Sequence, residues 1–187
     1  MGTLSAEFNH ARKKVPRKFE ISPSPHGDRK LGAVTTAFMS QALELACASI
    51  DAGGGPFGAL IVRGGRIVGR GSNRVVPARD PTAHAEVVAI RAAATELGTH
   101  DLTGCEIYTS CEPCPMCLGA ILWARLARIH YACVRSDAAA AGFDDQEFYE
   151  ELSRRPELRA VPLVPDGREQ GLDVFRAWLA KSDRRQY

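Results

Sequence analysis

The chain has no long hydrophobic run, no signal-like start, no large surplus of either charge and no internal repeat, and each absence removes a class of explanation. Its longest stretch free of charged residues is thirteen positions, 31–43, whereas a membrane-spanning helix needs about twenty apolar ones. No segment is expected to cross a bilayer. The first thirty residues are polar and basic and hold no continuous apolar segment of the secretory kind, so a reducing cytoplasm is the expected compartment. Six cysteines there point to metal or chemistry before disulfides. The net charge of +2 hides an asymmetry: residues 1–30 hold seven Lys/Arg against three Asp/Glu, and the remainder seventeen against nineteen. The mildly acidic body lacks the basic face with which a protein neutralises phosphates along a polynucleotide. A small substrate is expected, and nucleic acid is not.

What is present suits one ordinary domain: 187 residues, 45% hydrophobic and 25% charged, enough to bury about 70% of the unfolded surface. Residues 1–30, with Pro16, Pro23, Pro25 and Gly27 among scattered apolar positions, read as an irregular basic leader, and residues 31–187 as the single domain. Phe38, Ala42, Leu45, Ala46 and Ser49 recur at helical steps. Apolar runs at 59–62 and 67–69 flank Gly64 and Gly65, which predicts a tight hairpin. An alanine-rich helix over 83–97 stops at Gly98. A strand at 107–109, a helix over 113–124 and a strand at 129–132 follow so closely that a parallel crossover is implied. A short helix near 146–152, an extended segment at 160–164 and an amphipathic helix over 172–181 complete the chain. The expected fold class is α/β, a three-layer α-β-α sandwich around a mixed sheet of about five strands.

His84-Ala85-Glu86 opens the second predicted helix, and thirty positions beyond His84 the run Pro113-Cys114-Pro115-Met116-Cys117 opens the third. Three apart on a helix, Cys114 and Cys117 turn their sulfurs the same way and can share one ion. With the His84 imidazole they make three protein ligands for zinc, leaving a fourth tetrahedral position for water, where a structural site would be closed by another side chain. Two helix N-termini aimed at one point add partial positive charge, which lowers thiol pKa. Glu86 is better placed to reach that water than to ligate, so it can take the water's proton and return it to the substrate. The pattern H-x-E followed by P-C-x-x-C marks zinc-dependent nucleobase deaminases. A redox pair and a purely structural zinc module are the bland alternatives to an open, catalytic site. Cys111 is assigned to the loop before the third helix, and Cys47, Cys105 and Cys133 to buried apolar positions.

Together these residues resemble the cytidine deaminase-like superfamily, specifically its purine-acting branch. The resemblance rests on Pro56-Phe57-Gly58-Ala59, the loop at Asn73, the run from Asp80 to Glu86, and the run from Glu112 to Cys117 followed by Gly119-Ala120. It extends from about Thr35 to the last residues, and the leader has no counterpart in it. A shorter match, Gly142-Phe143-Asp144-Asp145 leading into Phe148-Tyr149-Glu150, is similar to a segment of bacterial guanine deaminases, as is the aromatic Tyr187. What the resemblance implies is zinc-dependent hydrolysis of a purine base, guanine to xanthine and ammonia, by a homodimer, with tRNA adenosine deamination as the alternative. Glu86 would be the proton shuttle. Glu150 is the candidate for a second acid at the departing amine, with Asp145 as fallback. Asn73 would bond a base edge, Phe57 would stack on the purine or pack in the core, and Ala85 and Asp145 would line the base. Tyr187 would close the pocket, in its own or a neighbouring subunit. His130 is expected to be structural, and Trp123 and Trp178 to pack in the core or an interface.

Overall fold

Two strand glycines and a stripe of helical alanines set the scaffold on which the site stands. The computed structural model describes residues 33–185; the basic leader and Tyr187 lie outside the described residues. Helix α1 (Ala33–Asp51) leads into the hairpin of β1 (Gly58–Arg63) and β2 (Arg66–Ser72). Its turn is made by Gly64 and Gly65 at φ 56° and 79°, the left-handed values a two-residue hairpin demands. The short α2 (Val75–Ala78) precedes α3 (Ala85–Leu97), β3 (Cys105–Cys111), α4 (Pro115–Trp123) and β4 (Arg128–Cys133). β3 and β4 run parallel, with Ile107 opposite Ile129 and Cys111 opposite Cys133, whereas β1 is antiparallel to both β2 and β3. The sheet is therefore mixed, in the order β2-β1-β3-β4.

Both faces of the sheet are covered. On one, α3 and α4 bury Ala85, Ala89, Ala93 and Ile121 against Ala59, Ile61, Val68 and Ile107. On the other, α1 packs Ala42 against Leu60, Val62 and Tyr108. Helix α3 lies so close to β2 that a Cβ at Gly69 would collide with the Ala89 carbonyl, and one at Gly71 with the Ala85 carbonyl. Alanines at 85, 89 and 93 recur every fourth residue, so they share one flat helix face that permits the approach. The consequence is local rigidity at the N-terminus of α3, where His84 and Glu86 stand.

The C-terminal part departs from expectation. The described sheet has four strands, not five. Segment 160–164 opens on a bend and joins no strand of the sheet; Pro162 and Pro165 lack ladder donors, and Val161 and Val164 are 74% and 80% exposed. Helices α5 (Arg135–Ala140) and α6 (Gln146–Ser153), a 3-10 turn (Pro156–Leu158) and α7 (Arg168–Ala180) follow β4. Val174, Phe175 and Leu179 of α7 are exposed. Cys105 is buried as expected, but Cys47 and Cys133 are exposed: one lies on the outer face of α1 and the other ends an edge strand. His130 is structural, its Nε2 2.8 Å from the Glu106 carboxylate and its ring stacked on Tyr108. No helix among the described residues is long and apolar enough to cross a membrane.

Candidate active site

The two halves of the motif meet where α3 and α4 begin. His84 is the N-cap of α3 (φ −67°, ψ 153°) and Cys114 the N-cap of α4 (φ −66°, ψ 169°). The third helix starts two residues later than the sequence suggests. Pro115 takes the first helical position, where its fixed φ and missing N–H cost nothing. That shift puts Cys114 at the cap and Cys117 in the first turn. His84 Nδ1 lies 3.6 Å from Cys114 Sγ and 3.5 Å from Cys117 Sγ. The three ligand atoms all lie within 4.8 Å of one another, and among the described residues no fourth side chain joins the group. Tetrahedral zinc at ordinary N and S bond lengths requires N-to-S separations of about 3.6 Å. The donor set fits zinc, in type and in spacing.

Electrostatics single out the same atoms. A hydrogen bond from Cys117, and then one from His84, hold the Cys114 thiol down at about 4, while sharing that bond pushes Cys117 up. His84 is raised by its hydrogen bond to Cys114. Glu86 is buried, and burial pushes its carboxyl up. Thr109 Oγ1 donates to Glu86 Oε1 at 3.4 Å and Cys117 Sγ donates to Oε2 at the same distance. The carboxylate thus points at the ligand cluster without belonging to it. Cys111 ends β3 and its thiol donates to the Val134 carbonyl at 3.7 Å, away from the ligands.

Above the ligands opens a cavity of about 340 Å³, within the range of small-molecule pockets. His84, Glu86 and Cys114 form its floor. Phe57, Asn73, Arg135, Phe143, Asp145 and Phe148 are among the other lining residues. Phe57 meets Phe143 edge to face, ring centroids 5.0 Å apart. Asn73 is buried and oriented, its Oδ1 accepting from Gly55 N at 3.2 Å and from Val75 N at 3.3 Å. Burial, followed by the negative charge on Cys114, pushes the Asp145 carboxyl up.

Not every expected residue arrives. Glu150 is absent from the cavity lining; its carboxylate is 55% exposed, accepts from Gln146 at 3.1 Å and lies 4.0 Å from Arg154. Ala85 is fully buried beneath the floor and does not line the cavity, because its Cβ belongs to the face packed on β2. Tyr187 lies outside the described residues. Sequence reading missed Arg135, Phe143 and Phe148 as wall residues, although both phenylalanines fall in the segment similar to guanine deaminases. It also missed Thr109, whose hydroxyl holds Glu86 and for which no motif gives a signal.

Comparison with known proteins agrees with this geometry. Residues 33–133 match the family described as the cytidine and deoxycytidylate deaminase zinc-binding region. The chain is 48% identical over 151 residues to the guanine deaminase of Bacillus subtilis (strain 168), covering 80% of this chain and 97% of that one. The crystal structure of guanine deaminase from Bacillus subtilis superposes with a TM-score of 0.79, covering 81% of this chain and 98% of the other. A solved guanine deaminase from Nitrosomonas europaea gives a TM-score of 0.58 at 34% identity, with 84% of each chain covered. Similarity to the tRNA-specific adenosine deaminase of Aquifex aeolicus is 39% over 97 residues, 52% of this chain and 64% of that one.

Proposed function

The chain belongs to the cytidine and deoxycytidylate deaminase zinc-binding family, and within it we propose that it is a guanine deaminase, converting guanine and water to xanthine and ammonia. The observation that carries this reading is one open three-ligand site with a buried carboxylate beside it, under a cavity walled by Phe57, Phe143 and Phe148. Agreement with relatives named for that activity over nearly their whole length supports it.

In the mechanism His84, Cys114 and Cys117 hold zinc. When bound, the ion supplies Lewis acidity that lowers the pKa of water toward neutrality. Glu86 takes a proton from the attacking water and passes it to the ring nitrogen beside the attacked carbon; its burial, which favours the neutral acid, suits a carboxylate that must hold that proton in transit. The new C–O bond forms at the carbon bearing the exocyclic amine, and the C–N bond to that amine then breaks. Asp145, whose carboxyl burial pushes up, is the acid that protonates the leaving amine, and its place in the wall favours it over Glu150. Asn73, its carbonyl occupied by two backbone N–H groups, offers its amide nitrogen to an acceptor on the base. Phe57 faces the purine ring.

The working form in this reading is a cytoplasmic homodimer in which the tail beyond Arg159 covers a neighbouring site. Exposed Val161, Val164, Phe175 and Leu179, together with Leu122 and Trp123 on α4, are the apolar surface such a dimer would cover. Ammonia release measured across guanine, adenine, cytosine, their nucleosides and a tRNA anticodon arm tests the substrate. Guanine is expected to dominate, and turnover of the tRNA alone would overturn the proposal.

A further inference from the structure

Tyr149 holds neither metal nor base, yet it fastens α6 to the ligand loop. Its hydroxyl donates to the carbonyl of Pro113 at 3.1 Å, one residue before Cys114, and the Arg135 guanidinium lies over its ring, 4.7 Å from the centroid. The ring's two partners belong to segments already joined: the Arg135 N–H donates to the Glu112 carboxylate at 3.2 Å, and the Glu112 N–H donates to the Cys133 carbonyl at 2.9 Å. One helical turn before Tyr149 stands Asp145, the residue that caps α6, so the two share a face. Helix α6 buries no residue. With no apolar face sunk into the body, its placement depends on contacts of this polar and aromatic kind.

We propose that Tyr149 is a positioning residue for deamination: its bond to Pro113 sets the distance from Asp145 to the Cys114 end of the metal site, and so the delivery of a proton to the departing amine. The inference rests on Asp145 being that acid. A misplacement of about 1 Å costs up to about 100-fold in rate, and a general acid is worth about 10²–10⁴-fold. A tyrosine acting through Asp145 should therefore cost part of what Asp145 itself costs.

The test uses the full-length, zinc-loaded protein as wild type, Tyr149→Phe, Asp145→Asn and the double variant, with kcat and KM for guanine and zinc content measured for each. Tyr149→Phe keeps the ring for Arg135 and removes only the hydroxyl. It is expected to lower kcat about 10-fold while KM stays within about two-fold and zinc content is unchanged. Asp145→Asn should lower kcat by about 100-fold or more, and the double variant should be no slower than Asp145→Asn. A second substrate separates positioning from general damage. With 2-chloro-6-oxopurine, water adds and chloride leaves without needing a proton, so Tyr149→Phe should match wild type. Wild-type kcat on guanine, an additive loss in the double variant, an equal loss on the chloropurine, or loss of zinc from Tyr149→Phe would each overturn the role of Tyr149. Full kcat in Asp145→Asn would instead overturn the assignment of the acid, whatever the tyrosine variant does.

Discussion

Residues 33–133 and residues 134–185 are built by different rules. In the first region helices cover both faces of a sheet, and every buried hydrophobic side chain among the described residues lies there, the last being Ala124. In the second no residue of α5, α6 or α7 is buried, and valines, leucines, Trp178 and the phenylalanines 143, 148 and 175 are exposed. The first region supplies all three metal ligands and Glu86; the second supplies Arg135, Phe143, Asp145 and Phe148 to the cavity wall. Bond-making groups must be held to within fractions of an ångström, which a close-packed sandwich does. The rest of the cavity wall comes from segments that fold onto that scaffold and leave much apolar surface open.

The largest effect should come from the rigid half. Glu86→Gln keeps the shape of the site and removes proton transfer, so guanine turnover should drop by about 10²–10⁴-fold with zinc content unchanged; a variant that kept full activity would end the claim that this region holds the chemistry. Leu60, wholly buried in β1, tests the packing. Leu60→Ala should destabilise the chain by about 2–5 kcal/mol, whereas Phe175→Ala on exposed α7 should leave the isolated subunit within about 0.5 kcal/mol, both read by denaturant titration. Should the Phe175 variant instead unfold as easily as Leu60→Ala, the second region has a core of its own. Deleting residues 167–187 should leave zinc bound in stoichiometric amount while shifting the protein from dimer to monomer in sedimentation and weakening deamination. A truncated dimer with full activity would show the tail to be idle.

Two smaller effects probe the seam and the surface. Burial, with Cys133 adding to it, holds the Cys111 thiol up to about 12 from 9.0. A thiol whose pKa is raised on folding contributes stability that is intact below pH 9 and lost as pH climbs from 9 through 12. Cys111→Ala should accordingly flatten the alkaline limb of a stability curve measured over that window. Glu150→Gln should change kcat by less than about two-fold, since exposed pairs such as Glu150 with Arg154 are worth at most about 1 kcal/mol.

The contrast between the regions also explains what could be read from the chain. The hairpin at Gly64 and Gly65 and the parallel crossover are consequences of local spacing, and each was legible; the helices over 85–97 and 115–123 were legible too, each starting two residues later than expected. The fifth strand was not. Segment 160–164 has strand-like residues, but pairing depends on a free edge and on donors that Pro162 and Pro165 lack. Which of Asp145 and Glu150 lines the cavity depended on rotation about α6: at about 100° per residue, Glu150 stands about 140° around the helix from Asp145, and only Asp145 is in the lining. Exposure of Cys47 and Cys133 likewise follows from which faces remain uncovered.

Sequence by itself determined the metal site, because the i, i+3 spacing of Cys114 and Cys117 and the i, i+2 spacing of His84 and Glu86 fix the ligands and the neighbouring carboxylate within single helical turns. Tertiary structure alone decided how those turns meet. The Gly71 approach to Ala85, the Phe143 ring against Phe57, Asn73 held by Gly55 and Val75, and Tyr149 on Pro113 join residues 14 to 86 positions apart, or, for Val75, adjacent segments whose direction only the packed loop sets. No local pattern encodes such contacts, since they exist only after the sheet has brought the segments together.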